Sequence, residues 1–198
     1  MDMAYGDHAD GLAYILAHPL TFQPGTRFNY QDSDPHLVSG AIQRIAGRKL
    51  RDLAEEWLFR PIGIRDFRWL EHQDGTTYGP FGLYLKPRDL ARIGVLAADG
   101  GAWHGEQLVS AAWIAESTRS HAPVDPSPGS ASYQYGYYWW AAPDGSAFTA
   151  LGHGGQFVFV RPSEALVVVL TAEPDTDGDE VAIPISGMLA LVRLISGS

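Results

Sequence analysis

The 198-residue chain contains no cysteine, so neither disulfides nor thiol chemistry contribute to it. Basic residues are scarce: 14 Lys and Arg stand against 23 Asp and Glu, for a formal net charge of −9. Only two lysines are present, and the arginines are scattered apart from a short cluster with Lys49 at Arg48 and Arg51. Nucleic-acid binding needs a basic stripe, and none is there. Long hydrophobic runs are also missing. The longest largely apolar stretch, 181–195, is too short for a bilayer and is broken by Pro184, Gly187 and Arg193. The opening residues Met1-Asp2-Met3-Ala4-Tyr5-Gly6-Asp7 are acidic and lack the apolar core of a signal peptide. These absences predict a soluble protein, cytoplasmic as it stands, with no membrane or nucleic-acid partner.

What is present suffices for one good core: 45% of residues are hydrophobic, with six Trp and nine Tyr among them. Helical spacing predicts a helix over 7–18, ended by Pro19, and an amphipathic helix over 50–59. Between them, Asp34-Pro35 reads as an N-cap acid and a first-turn proline. Leu37, Val38, Ala41, Ile42 and Ile45 make that helix's expected apolar face, and Gly47 its stop. Further helices are expected from Pro87 to about Gly100 and over 109–120.

From Tyr133 the pattern turns to strands: 135–140, then 156–160 and 166–171, with a hairpin signal at Asp144-Gly145. A closing helix spans about 184–195. A helical region, then antiparallel strands, then one helix is an α+β plan.

Several residues have chemistry to offer. Gly152-His153-Gly154-Gly155-Gln156 sets a histidine among glycines at the head of a strand, where main chain can approach a ligand closely. Tyr30 stands just before a helix N-terminus, a place that favours negative charge. Asp32 either caps that helix or points toward a site. Trp139 and Trp140, in a regular strand, point to opposite faces, one for the core and one for a cleft. The seven histidines contain no His-x-x-x-His pair, which argues against zinc. In the acidic stretch 173–180 the glycine falls fourth from Asp175 rather than sixth, so it is no EF-hand loop. No metal or other cofactor is expected.

Taken in order, these segments resemble the beta-lactamase-like serine hydrolases. That superfamily includes class C beta-lactamases, D-alanyl-D-alanine carboxypeptidases, family VIII esterases and nylon-oligomer hydrolases. Phe28-Asn29-Tyr30-Gln31-Asp32 resembles the Tyr-x-Asn element, and Phe59-Arg60-Pro61-Ile62-Gly63-Ile64 a phrase of Phe-x-Pro-Leu-Gly-Met type. Gly82-Leu83-Tyr84-Leu85-Lys86-Pro87-Arg88-Asp89-Leu90, Tyr135 to Trp140 and Gly152 to Gln156 follow in family order. The last is similar to the third motif, Lys-Thr-Gly in many members.

The resemblance implies that Tyr30 moves the nucleophile's proton and protonates the leaving group. It implies that His153 takes the lysine place and that the Gln156 N–H donates to an oxyanion. Asp32, Gly154, Gly155, Trp139 and Trp140 are the implied substrate-side residues. Asp32 stands where many members have Asn, and its charge opposes a tyrosinate.

The family's nucleophile sits in Ser-x-x-Lys, one helical turn bringing lysine beside the hydroxyl. Ala46 precedes Lys49 by three residues and Leu83 precedes Lys86 by three, so the motif is absent. The expectation is therefore a single domain, 1–198, forming the C-terminal portion of an enzyme that hydrolyses an ester, amide or lactam. The sheet would be incomplete, with an exposed edge open to self-association. The alternative is a non-catalytic binding module or an inactive truncated homologue.

Overall fold

The computed structural model describes residues 4–123, 134–172 and 185–196, so the acidic stretch 173–180 and most of the proline-rich loop after Pro123 lie outside the described residues. The chain divides into two compact units, Met1–Lys86 and Pro87–Ser198.

The first unit opens with a 3-10 turn, Ala4–Asp7, followed by α1, Gly11–Ala17. The helix expected over 7–18 is thus shorter, beginning only at Gly11. Asp10 sets that start, because its carboxylate caps α1 by accepting from Ala13 N at 2.8 Å. Helix α2 spans Ser33–Ala46 and ends at Gly47 with φ 62°, the left-handed stop expected there. It starts two residues earlier than predicted: Asp32, not Asp34, holds the N-cap position, and Asp34 lies in the first turn. Helix α3, Leu50–Ala54, runs on into a π-helical turn, Glu55–Phe59. A short antiparallel pair, β1 (Arg68–Trp69) and β2 (Leu83–Tyr84), completes the unit.

The expected apolar face of α2 is not its buried face. Val38, Ile42 and Ile45 are exposed, while His36, Ser39 and Gly40 are buried. The reason is a polar stripe at helical spacing that anchors the loop 71–79. Ser39 Oγ donates to Thr77 O at 2.6 Å. Gln43 Oε1 accepts from Thr77 N and Leu50 N, each at 3.0 Å. These bonds satisfy loop carbonyls and amides that water cannot reach, and apolar side chains could not do so.

In the second unit, α4 (Pro87–Ala98) leads to a small hairpin of β3 (Ala102–Trp103) and β4 (Glu106–Gln107), and then to α5 (Ala111–Thr118). A six-stranded antiparallel sheet follows. Its strands are β5 (Ala122–Pro123), β6 (Gln134–Tyr135), β7 (Trp140–Ala141), β8 (Phe148–Gly152), β9 (Gln156–Arg161) and β10 (Leu166–Leu170). The strands neighbour one another in reverse chain order, from β10 across to β5. Helix α6, Ile185–Ser196, closes the unit.

The strand expected over 135–140 is instead a tight hairpin: β6 pairs with β7, Tyr135 opposite Trp140. Tyr138 adopts a positive φ of 65° at its tip. Beside it, Gly136 lies so close to helix α5 that a Cβ would stand 2.3 Å from the Ser117 carbonyl oxygen.

Both sheet faces are covered. Phe157, Phe159 and Val168 pack with Met188 and Val192 of α6, whereas Phe148, Val158 and Val160 pack with Ala97 of α4. Each such side chain contributes about 1.5–3 kcal/mol when fully buried. On α4, Gly94 lets the helix approach the sheet closely: a Cβ there would lie 2.6 Å from Val167 Cγ1 and 3.1 Å from Val158 Cγ1. Gly94→Val should therefore force α4 off the sheet and lower stability by about 1–3 kcal/mol. Urea unfolding checks this, and an unchanged midpoint would contradict the close approach.

Candidate active site

Tyr30 sits in the extended segment between α1 and α2, four residues after a turn closed by Thr26 N and Oγ1 on the Gln23 carbonyl (3.2 and 2.6 Å). Its ring is half exposed. Partial burial, and then the charge of Asp32, push its phenol above the ordinary tyrosine value. Asp32 is buried and makes no capping hydrogen bond to α2. Desolvation raises its own carboxyl above the usual range. The expected conflict between Asp32 and a tyrosinate is therefore present in the electrostatics. A phenol shifted upward in this way holds its proton at neutral pH.

In the second unit, β8 and β9 are joined by a three-residue turn, His153-Gly154-Gly155, with Gly152 opposite Gln156. Gly154 and Gly155 have φ of 75° and 87°, a conformation that strains any residue with a Cβ. Both are buried, and His153 between strand and glycines is exposed. The Gln156 side chain donates to the Ala172 carbonyl, which ties the head of β9 to the chain leaving β10. Trp139 stands edge-on to Phe148, 5.0 Å between centroids, against the α4-side core. Trp140 stands edge-on to Tyr135 at 5.0 Å. Both tryptophans are partly buried, so the assignment of one to the core holds for Trp139. Tyr30 and Asp32 belong to the first unit, and the turn and tryptophans to the second.

One cluster in the first unit had no signal in the sequence. His36 of α2 is fully buried, stacks on Tyr5 at 4.7 Å and meets Tyr78 at 5.5 Å. His72 lies 5.7 Å from it, ring to ring, and its Nδ1 is 2.9 Å from Asp74 Oδ2. Burial holds His36 below the ordinary histidine value; Asp74 opposes that shift and His72 adds to it. Burial works to raise Asp74, but hydrogen bonds from Thr76 and His72 outweigh it and leave the carboxyl below its usual value. His36 lies on α2 and His72 and Asp74 on the loop 71–79, so a scan for local histidine spacing does not join them.

A family model for beta-lactamase matches residues 1–186. The chain belongs to the beta-lactamase family. It is 24% identical over 181 residues to the 6-aminohexanoate-dimer hydrolase of Paenarthrobacter ureafaciens, covering 87% of this chain and 46% of that protein. Among solved structures it resembles a family VIII carboxylesterase, with a TM-score of 0.70 at 20% identity, over 99% of this chain and 64% of the other. It also resembles a penicillin-binding protein homologue from Caulobacter crescentus, with a TM-score of 0.68 at 16% identity, over 86% and 59%. The chain thus spans about half the length of the hydrolase and under two thirds of these structures. The fold is beta-lactamase-like, as its motifs implied.

Within a beta-lactamase fold the aspartate at position 32 costs stability that an amide would not. Its folded carboxyl is raised above the unfolded value, so the penalty is complete above the folded value and vanishes below the unfolded one. Asp32→Asn should stabilise the chain by about 1 kcal/mol at pH 7. The gain should disappear as pH falls below about 4, the ordinary carboxylate value. Urea midpoints across that range test this; a loss of stability at pH 7 would show that Asp32 is compensated. The same substitution should lower the Tyr30 phenol value in spectrophotometric titration against a Tyr30→Phe reference.

Proposed function

We propose that this chain contributes the proton-donating tyrosine and the oxyanion-side strand of a serine hydrolase that cleaves an ester, amide or lactam through an acyl-enzyme. The observation that carries the reading is the His153-Gly154-Gly155 turn, where positive-φ glycines bring main chain to the head of the buried strand β9. A backbone donor at Gln156, aimed at the developing oxyanion, is worth about 3 kcal/mol of transition-state stabilisation. The related hydrolase is named for a 6-aminohexanoate dimer and the related structure for carboxylic esters. Those names support the ester-or-amide class.

In this mechanism the lysine of the Ser-x-x-Lys segment takes the serine proton as the serine oxygen attacks the acyl carbon. The bond to the leaving nitrogen or oxygen breaks, and the lysine returns the proton to serine when water releases the acyl group. Tyr30, kept protonated by burial and by Asp32, gives its proton to that leaving atom and regains one from the water that hydrolyses the acyl-enzyme. His153 takes the lysine place of the third motif, on the substrate side of its turn. The serine comes from a Ser-x-x-Lys segment outside these 198 residues, and the chain alone is inactive. Strand β10 pairs only with β9 among the described residues. We read its free side as the edge through which the isolated chain self-associates.

Two experiments test the reading. A fluorescent serine-directed acylating probe, followed by peptide mapping, should leave the 198-residue chain unlabelled. A label on one specific serine would mean that the chain builds its own nucleophile, and the assignment of roles would fall. In the protein that carries this chain together with Ser-x-x-Lys, Tyr30→Phe should lower kcat/KM for an anilide by about 10²–10⁴. The loss should be much smaller for a nitrophenyl ester, whose leaving group departs without a proton. Equal losses on both substrates would remove Tyr30 from the proton-donor role.

A further inference from the structure

Two buried histidines and a more exposed aspartate in the first unit have the composition and second-sphere support of a metal centre, and their case does not rest on the hydrolase reading. The ligand-capable atoms of His36, His72 and Asp74 all lie within 4.8 Å of one another. His36 is completely buried, yet neither ring nitrogen has a hydrogen-bond partner. An imidazole carries a lone pair or an N–H at each nitrogen, and a buried one without partners is a costly exception.

The hydrogen bonds of His72 point the same way. Its Nε2 faces the Tyr5 carbonyl at 3.2 Å, which can only accept, so Nε2 carries a proton. Its Nδ1 is then left 3.2 Å from the Asp74 amide and 2.9 Å from the Asp74 carboxylate. That approach needs a cation shared by the two groups, either the second proton of a charged imidazole or a metal ion in its place. Donation of the second ring N–H to a backbone carbonyl is also how a metal-binding histidine is usually oriented.

The carboxylate is oriented too: Thr76 N donates to Asp74 Oδ1 at 2.8 Å and Gly11 N to Oδ2 at 3.1 Å. Around the cluster stand the rings of Tyr5 and Tyr78, an apolar wall that limits water.

We propose that His36, His72 and Asp74 bind a divalent transition-metal ion of the zinc class, joining α2 to the loop 71–79. Two imidazole nitrogens and one carboxylate oxygen form a donor set that zinc accepts. Bonds of about 2.0–2.2 Å at tetrahedral angles place donors roughly 3.4 Å apart. Closing the cluster from its present spread needs a shift of roughly 1.5 Å at most, within the reach of a ring rotation. The three donors bridge positions 36 and 72, so the ion would close a long loop that hydrogen bonds and ring contacts already hold to α2.

The test uses the full chain, stripped with a chelator and titrated with Co²⁺ as a spectroscopic probe, then with Zn²⁺ against a chromophoric chelator. One ion per chain is expected, with the intense visible bands of low-coordinate cobalt. Asp74→Asn and His72→Gln should each weaken binding about tenfold or more. A His8→Gln/His18→Gln double variant, altering exposed histidines, should bind like the parent. Absence of stoichiometric uptake would overturn the proposal and leave His72 and Asp74 as a plain ion pair, and undiminished uptake in Asp74→Asn would overturn it as well. A variant that fails to fold is replaced by proton NMR of the Co²⁺-loaded parent. Hyperfine-shifted signals from two imidazoles are expected there, and signals from one or none would refute the site.

Discussion

Phe157 and Phe159 point into one layer and Val158 and Val160 into the other, so β9 cannot slip by a residue without exchanging aromatic for branched side chains across the whole sheet. Its partners on either side repeat the division: Phe148 and Val160 are paired on the α4 face, Phe159 and Val168 on the α6 face. A strand pinned in register on both faces fixes where its hairpin must turn. The His153-Gly154-Gly155 turn is positioned by the core beneath it, and the glycines supply the backbone angles that closure demands. A site built from main chain at such a point inherits the rigidity of the sheet.

Electrostatics at the start of α2 point to a donor rather than a base. An isolated tyrosine at a helix N-terminus would be drawn toward its phenolate. Here burial and the neighbouring Asp32 carboxylate act the other way on Tyr30, and Asp32 also raises Tyr5. Chemistry that needs a proton at the leaving atom is served by this arrangement. In the proposed mechanism, removal of the serine proton then falls to the lysine of a Ser-x-x-Lys segment and not to Tyr30.

Legibility in the sequence followed the range of the interaction. Gly47 as a helix stop and the paired strands 156–160 and 166–171 were readable because turn chemistry and apolar runs are local signals. The motif order was enough to name the family. The hairpin at Gly136 to Trp139 was misread as a strand because aromatic residues are strong strand formers in isolation. What overrides them is the close contact of Gly136 with helix α5, many residues away in sequence. Asp32 as a buried carboxylate was equally invisible, since burial is a property of the assembled unit.

Helix α2 shows the same limit most sharply. Its apolar residues suggested an inward face, yet Asp32, His36, Ser39 and Gln43, spaced at four, three and four, form the stripe that turns inward. A polar stripe is buried only when each member has a partner. Ser39 and Gln43 find theirs in the backbone of the loop 71–79, whereas Asp32 is buried beside Tyr5 and Tyr30, whose phenols its charge pushes upward. His36 is the member whose nitrogens remain unmatched, and it is the one that stands beside His72 and Asp74. A helix that leaves Ile45 in solvent while burying an imidazole has ordered its side chains by what they bind, and hydrophobicity alone would have turned it the other way.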